Sequence, residues 1–269
     1  MTDLAKYGPW AVIAGGSEGV GAEFARLLAA DGFNLVLIAR KPGPLEETAQ
    51  SCRAAGVQVR TLAADLLDPG TAALIRTATA DLEVGLLIYN AGANTCNAPF
   101  LEASLDDVHR VIDLSVTKML EVVQMFGRPM VARQRGGILL VGSLAGYMGA
   151  WGHAAYGGAK AFTRTFAECL WVELREQGVD VLELVLGLTR TPAMHRMGMR
   201  FDTPGLTVSE PADVAAEGLA HLADGPIRVA GGNDAAAAAN SAPDRAAVVL
   251  NAHETIRALT AGHGSPAGG

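Results

Sequence analysis

Apolar residues along the 269-residue chain fall into two alternating patterns. Short, nearly continuous apolar runs occupy 10–14, 34–38, 57–62, 85–89, 138–141, 181–186 and 227–230. Strands covered on both faces read this way, because neither face meets water. Between them lie longer stretches whose apolar residues recur every three or four positions. They are the one carrying Val20, Phe24, Leu27 and Leu28, then 66–80, 104–132, 154–177 and 211–223. That spacing predicts helices with one buried face. Parallel strands need crossovers, and right-handed crossovers produce helices on both sides of the sheet. The expected fold is therefore α/β, a doubly wound parallel sheet of about seven strands in a single domain spanning 1–269. Two stretches break the rhythm: 189–210, rich in Met, Gly and Pro, reads as a loop over a site, and 261–269 as a flexible tail.

Composition narrows the class. With 21 Lys and Arg against 28 Asp and Glu the net charge is −7, and half of the residues are hydrophobic. Such a chain buries a core without staples. Its cations are scattered instead of gathered in a stripe, so no nucleic-acid partner is expected. Cys52, Cys96 and Cys169 are odd in number and form no CxxC pair, so neither a metal site nor a disulfide framework is expected. Reduced thiols suit a cytoplasmic protein. No run approaches the roughly 18 apolar residues of a membrane span.

The candidate chemistry starts right after the first predicted strand. Gly15-Gly16-Ser17-Glu18-Gly19-Val20-Gly21 opens the first helix. Glycines there let the backbone approach a diphosphate, whose charge would sit at free helix N–H groups. The spacing is GxxxGxG, a weak signal alone in a chain with 32 Gly. After the second strand, where an acid would hold a ribose 2′-OH, stand Arg40 and Lys41. Two cations suit a 2′-phosphate and so NADP(H), with NAD(H) as the alternative if both belong to a solvated loop. Glu18 argues the other way, since it adds a negative charge to the turn. Further along, Tyr156 and Lys160 lie four apart at the start of a predicted helix and share one face. An ammonium near a phenol favours the phenolate and draws its pKa towards the working range. Gly157 and Gly158, costly inside a helix, point to close packing there. Ser143, thirteen residues before Tyr156, ends a predicted strand at the carboxyl edge, where ligands bind in open α/β sheets.

Over about residues 8–232 these features resemble the short-chain dehydrogenase/reductase family. The likeness rests on the glycine turn, Asp65 followed by Leu66, the Asn90-Ala91-Gly92 turn, Ser143 before Tyr156 and Lys160, and Gly187 with Thr191. It implies a Rossmann-type domain that moves a hydride between a nicotinamide and an alcohol or ketone. Tyr156 would be its general acid/base, Lys160 would lower the Tyr156 pKa and hold the nicotinamide ribose, and Ser143 would orient the substrate oxygen. Asp65 and Leu66 would meet the adenine. Gly15, Ser17, Glu18, Gly19, Val20 and Gly21 would surround the diphosphate, and Gly187, Thr189 and Thr191 the nicotinamide. The resemblance also implies a homodimer or homotetramer built on the 104–132 and 154–177 helices. The chain departs from the family at Ala14, Tyr89 and Leu186, and in chemistry at Ser115. The family places there an Asn that holds a water in its proton relay; Ser115 either holds that water with a shorter reach or merely packs within its helix.

For substrate, Met194, Met197, Met199 and Phe201 follow the strand that should end beside the nicotinamide, and Tyr147, Met148, Trp151 and His153 would form the opposite wall. Adaptable Met side chains in a closing loop suit a bulky apolar ketone or alcohol; packing against a second subunit is the other reading. The segment 7–12 and the Ile38-Ala39-Arg40 strand end resemble the branch of 17β-hydroxysteroid dehydrogenases and 3-ketoacyl-CoA reductases. The rival class is a dinucleotide-binding regulator that kept the fold and lost the chemistry.

Overall fold

A computed structural model describes residues 1–202 and 206–260. Its strands are β1 (Trp10–Ala14), β2 (Asn34–Ala39), β3 (Val59–Ala63), β4 (Val84–Tyr89), β5 (Gly136–Ser143), β6 (Val179–Leu186), β7 (Leu188–Thr189), β8 (Val208–Ser209) and β9 (Ile227–Val229). Seven of them form one sheet in the order β3-β2-β1-β4-β5-β6-β9, every pairing parallel. The chain winds outward from β1 to β3, returns to the centre and winds the other way from β4. The crevice at the carboxyl ends of β1 and β4 is therefore the point where the winding reverses, the place such sheets offer to ligands.

The helices are α1 (Leu4–Tyr7), α2 (Gly19–Ala30), α3 (Pro42–Arg53), α4 (Thr71–Thr79), α5 (Leu105–Ile112), α6 (Lys118–Ala132), α7 (Ala154–Leu174), α8 (Pro192–Arg196), α9 (Pro211–Ala220), α10 (Asp234–Asn240) and α11 (Arg245–Thr260). Alternation along β1 divides the core. Ala11 and Ile13 join Phe24 and Leu28 of α2, Leu45 and Ala49 of α3, and Val214 of α9 on one side. Val12 and Ala14 join Ile75 of α4, Val122 and Phe126 of α6, and Ala167 of α7 on the other. Each large side chain so buried contributes about 1.5–3 kcal/mol before entropy is charged against it. No described helix is long and apolar enough to cross a membrane.

Several boundaries differ from the sequence pattern. The predicted 66–80 helix starts only at Thr71, because the Asp65 side chain accepts from the Leu67 amide (3.0 Å) and a turn over Asp68-Pro69-Gly70 delays it. The predicted 104–132 helix is α5 and α6 joined by a wide π-turn, Asp113–Thr117. Its start is capped by Ser104, whose hydroxyl accepts from the Asp106 amide. The 189–210 stretch is not a plain loop, since it holds β7, α8 and β8. The 261–269 segment lies outside the described residues.

Candidate active site

The glycine turn is fixed by what cannot fit in it. A Cβ on Gly21 would lie 2.0 Å from the Gly15 carbonyl oxygen, and one on Gly15, at φ +86°, 2.9 Å from the Ala91 amide nitrogen. Asn90 ties the neighbouring turn to this one: its amide donates to Ala14 O (2.9 Å) and its side-chain Nδ2 to Gly15 O (2.9 Å). The Ser17 carbonyl accepts from Thr48 of α3 (3.0 Å). Gly19 and Val20 then begin α2, and Glu18 at its cap makes no side-chain bond to the helix amides. The first amides of α2 are thus left without a side-chain cap, as a cradle for a diphosphate requires.

Glu18 has another partner. Arg196 of α8 holds its carboxylate with both terminal nitrogens, one at 3.0 Å, and that bond holds the Glu18 acid below its ordinary pKa, with Lys41 and Arg40 adding to the effect. The charge that argued against a phosphate in this turn is thus neutralised from 178 residues away. Thr191 caps α8 by accepting from the Met194 amide, and its side chain lies 3.2 Å from where a Gly19 Cβ would be, so α8 closes over the glycine turn. Arg40 is exposed and lies 3.9 Å from Asp65 Oδ2, the same oxygen that Arg110 of α5 approaches at the same distance. Lys41 caps α3 without a side-chain bond to it. Leu66 is buried in the same apolar cluster as Val36 and Ile38 of β2. Thr189 is buried in the β7–β8 pair and donates to Gly187 O (3.2 Å), while Gly187 abuts the Asn233 side chain.

Ser143, Tyr156 and Lys160 are brought together at the carboxyl end of β5. Ser143 ends the strand, and its oxygen accepts from the Ala145 amide (3.2 Å). Tyr156 lies in the first turn of α7, and Lys160 one turn on, its Nζ 5.8 Å from the phenol ring centre. The ammonium donates to Val141 O (2.7 Å) in the protein interior. Burial draws the lysine pKa down to about 8, with Glu183 opposing. At Tyr156 the expected lowering is not what the structure gives. Burial pushes the phenol above its ordinary value, and only a hydrogen bond with Ser143 pulls it back. The phenol therefore carries its proton at neutral pH. Gly157 packs against Ala145 O as its helix-breaking character suggests, at 3.1 Å from an added Cβ, whereas Gly158 meets nothing within 4 Å.

Ser115 sits in the π-turn, a distortion found at functional positions. It is 2% exposed and its hydroxyl has no hydrogen-bond partner among the described residues. A point on the Gly92 backbone face lies 3.5 Å from that oxygen and 3.6 Å from Lys160 Nζ. A buried hydroxyl left unpaired beside an ammonium is a place for a bridging water. Tyr89 gains a reason as well: its phenol, pushed up by burial, donates to Leu114 O (2.6 Å) and steadies the π-turn. The glycine cradle and this unpaired oxygen fit a dinucleotide lying between Gly15 and Gly92.

Of the expected substrate wall, His153 caps α7 and stands edge-on to Tyr156 with ring centres 6.4 Å apart. Trp151 is exposed, and its carbonyl meets His153 Nδ1 (3.0 Å). Met194 and Met197 are half-buried at α8. Tyr147 is not brought to this side: its ring lies under Arg164 of α7 (4.5 Å), two turns beyond Tyr156. Arg110, Glu183 and Arg196 were not singled out from the sequence, since each meets its partner only through the fold. Among the described residues no group of three His, Cys, Asp or Glu is arranged to hold a metal.

Comparison with known proteins agrees with this geometry. The short chain dehydrogenase family model matches residues 9–200, and the chain belongs to that family of oxidoreductases, which bind a nicotinamide dinucleotide. It is 36% identical over 204 residues to a very-long-chain 3-oxoacyl-CoA reductase of Neurospora crassa, covering 73% of this chain and 61% of the relative, so it spans about three fifths of that protein. A solved structure concerned with 7beta-hydroxysteroid dehydrogenase stereoselectivity superposes with TM-score 0.85 at 26% identity, covering 93% of this chain and 99% of the other. A short-chain dehydrogenase from Sphingobium yanoikuyae in complex with NADPH superposes with TM-score 0.75 at 26% identity, covering 97% and 98%.

Proposed function

We propose that the protein is a cytoplasmic oxidoreductase, preferring NADP(H), that interconverts a bulky apolar ketone and its secondary alcohol. The observation that carries this reading is the meeting of Ser143, Tyr156 and Lys160 at the carboxyl end of β5, beside the crevice that the glycine turn opens. A bound dinucleotide supplies or accepts the hydride. In the reducing direction the Ser143 hydroxyl donates to the substrate oxygen, and Tyr156, kept protonated by burial, gives that oxygen its proton. The Lys160 ammonium then faces the phenolate left behind and stabilises it. A water between Ser115 and Lys160 would return the proton.

Arg40 and Lys41, with Glu18 neutralised by Arg196, support a 2′-phosphate, as does the NADPH held by the Sphingobium neighbour. Asp65 and Leu66 are assigned to the adenine, and Asn90, Ala91, Gly92, Gly187, Thr189 and Thr191 to the nicotinamide half. Met194, Met197, Trp151 and His153 are assigned to the substrate, whose apolar class is supported by the acyl and steroid enzymes named above. An exposed apolar groove between α5 and α7, lined by Phe100, Ile112, Ala155 and Phe162, supports a homodimer or homotetramer.

Parallel titration with NADPH and NADH, followed by tryptophan quenching, tests the cofactor. NADPH binding about tenfold tighter or more, a difference of about 1.4 kcal/mol, is expected; equal binding returns Arg40 to a solvated role, and no binding of either favours a regulator. Steroid ketones or long-chain β-ketoacyl thioesters are expected to be reduced in preference to small aldehydes, and the opposite order overturns the apolar substrate class.

A further inference from the structure

Glu183 lies in the middle of β6, 1% exposed, and the reaction described above does not use it. Its strand neighbours are Leu140 of β5 and Ile227 of β9, and neither carboxyl oxygen has a hydrogen-bond partner among the described residues. A buried acid left unpaired is costly, so its position calls for a reason. The side chain leans along β5 towards the carboxyl edge, into space left by Gly142. A Cβ there would fall 2.0 Å from Glu183 Oε1 and 2.5 Å from its Cδ. Gly142 stands between Val141, whose carbonyl anchors Lys160, and Ser143.

The charged groups around this carboxyl come mainly from α7. Lys160 and Arg164 attract its ionised form, and Glu168 opposes it. Tyr147, in the turn after β5, is a further titratable group coupled to it: burial raises the phenol, and Glu183, once ionised, adds to that effect. Lys160 donates to Val141 O, and neither Glu183 oxygen has a hydrogen-bond partner among the described residues, so the two groups act on each other through space and not as a contact pair.

We propose that Glu183 is a positioning residue. Seated under α7 by the missing side chain at Gly142, it holds the proton on Lys160 and keeps an ammonium facing Tyr156 at mildly alkaline pH. This rests on the reading of Tyr156 and Lys160 given above. Burial draws the lysine towards its neutral form, down to about 8 against the opposing pull of Glu183, and it likewise raises the Glu183 acid to about 8. The two groups therefore titrate in one window. As the acid ionises, the neighbouring lysine proton becomes harder to remove.

The chain has four lysines, Lys6, Lys41, Lys118 and Lys160, so a carbon-13 lysine NMR titration of the cofactor-free protein resolves each side chain, with Lys160→Met assigning the signal. It is compared in wild type, Glu183→Gln and Glu183→Leu; both replacements roughly keep the volume, and either one suffices if the other fails to fold. The Lys160 midpoint is expected to fall by about one pH unit in both variants. The alkaline limb of kcat/KM for ketone reduction should move down with it. An unchanged midpoint overturns the proposal and leaves Glu183 a purely structural role, whatever the activity. Complete absence of ketone reduction in the wild type instead defeats the oxidoreductase reading, while the lysine midpoint still decides the role of Glu183.

Discussion

The two halves of the crevice are built by opposite means. At the ends of β1 and β4 the cradle is made by leaving side chains out: Gly15 and Gly21 let two backbones meet, and Asn90 stitches them together. Around the end of β5, between β6, α7 and the π-turn, the site is made by putting polar groups where water is scarce. Lys160, Ser115 and Glu183 are all buried, two of them without a hydrogen-bond partner among the described residues. The first half is a matter of shape and tolerates no added atom. The second is a matter of charge, and burial sets which protons are held. The second half should respond to pH near neutrality, and the first chiefly to volume and, through the Glu18–Arg196 pair, to surface charge.

Substitutions in the two halves should therefore fail differently. Gly21→Ala is expected to have the largest effect in the cradle, because its Cβ would meet Gly15 O at 2.0 Å and Asn90 Nδ2 at 2.7 Å. Forced overpacking of this kind costs about 1–3 kcal/mol or more. Thermal melting and a dinucleotide titration should show lower stability together with at least about tenfold weaker binding, at every pH. Wild-type affinity would mean that the cradle is looser than its geometry.

Arg196→Ala should act more gently, through charge at the border between the halves. It frees the Glu18 carboxylate to face an incoming phosphate. Because the pair is solvent-exposed, the weakening of NADPH binding should be roughly fivefold at low ionic strength and shrink as salt is added. A loss that salt does not reduce would show that α8 matters as a packed cover and not as a neutralising cation.

The same contrast explains what the sequence shows and what it conceals. The buried strands stand out because parallel strands covered on both faces are apolar throughout, and the glycine turn because its requirement is local. Helix α3 does not, although Leu45, Ala49 and Cys52 form a regular buried face, because Pro42-Gly43-Pro44 at its start reads as a turn. Tyr156 and Lys160, the pair proposed for the chemistry, are visible as a spacing within one helix. Glu183 is hidden inside an apolar run, since its environment exists only once α7 covers β6, and the Glu18 to Arg196 pair spans 178 residues. The Tyr156 pKa runs against local expectation for the same reason: its burial belongs to the folded crevice.

The reading as a hydride-transferring oxidoreductase stands or falls on the phenol of Tyr156. The direct measurement is single-turnover reduction of an apolar ketone by Tyr156→Phe at saturating NADPH, with dinucleotide binding measured on the same sample. Loss of roughly a hundredfold or more in rate with binding preserved is predicted, the effect of removing one positioned acid. A rate close to wild type with binding preserved would contradict Tyr156 as the proton donor.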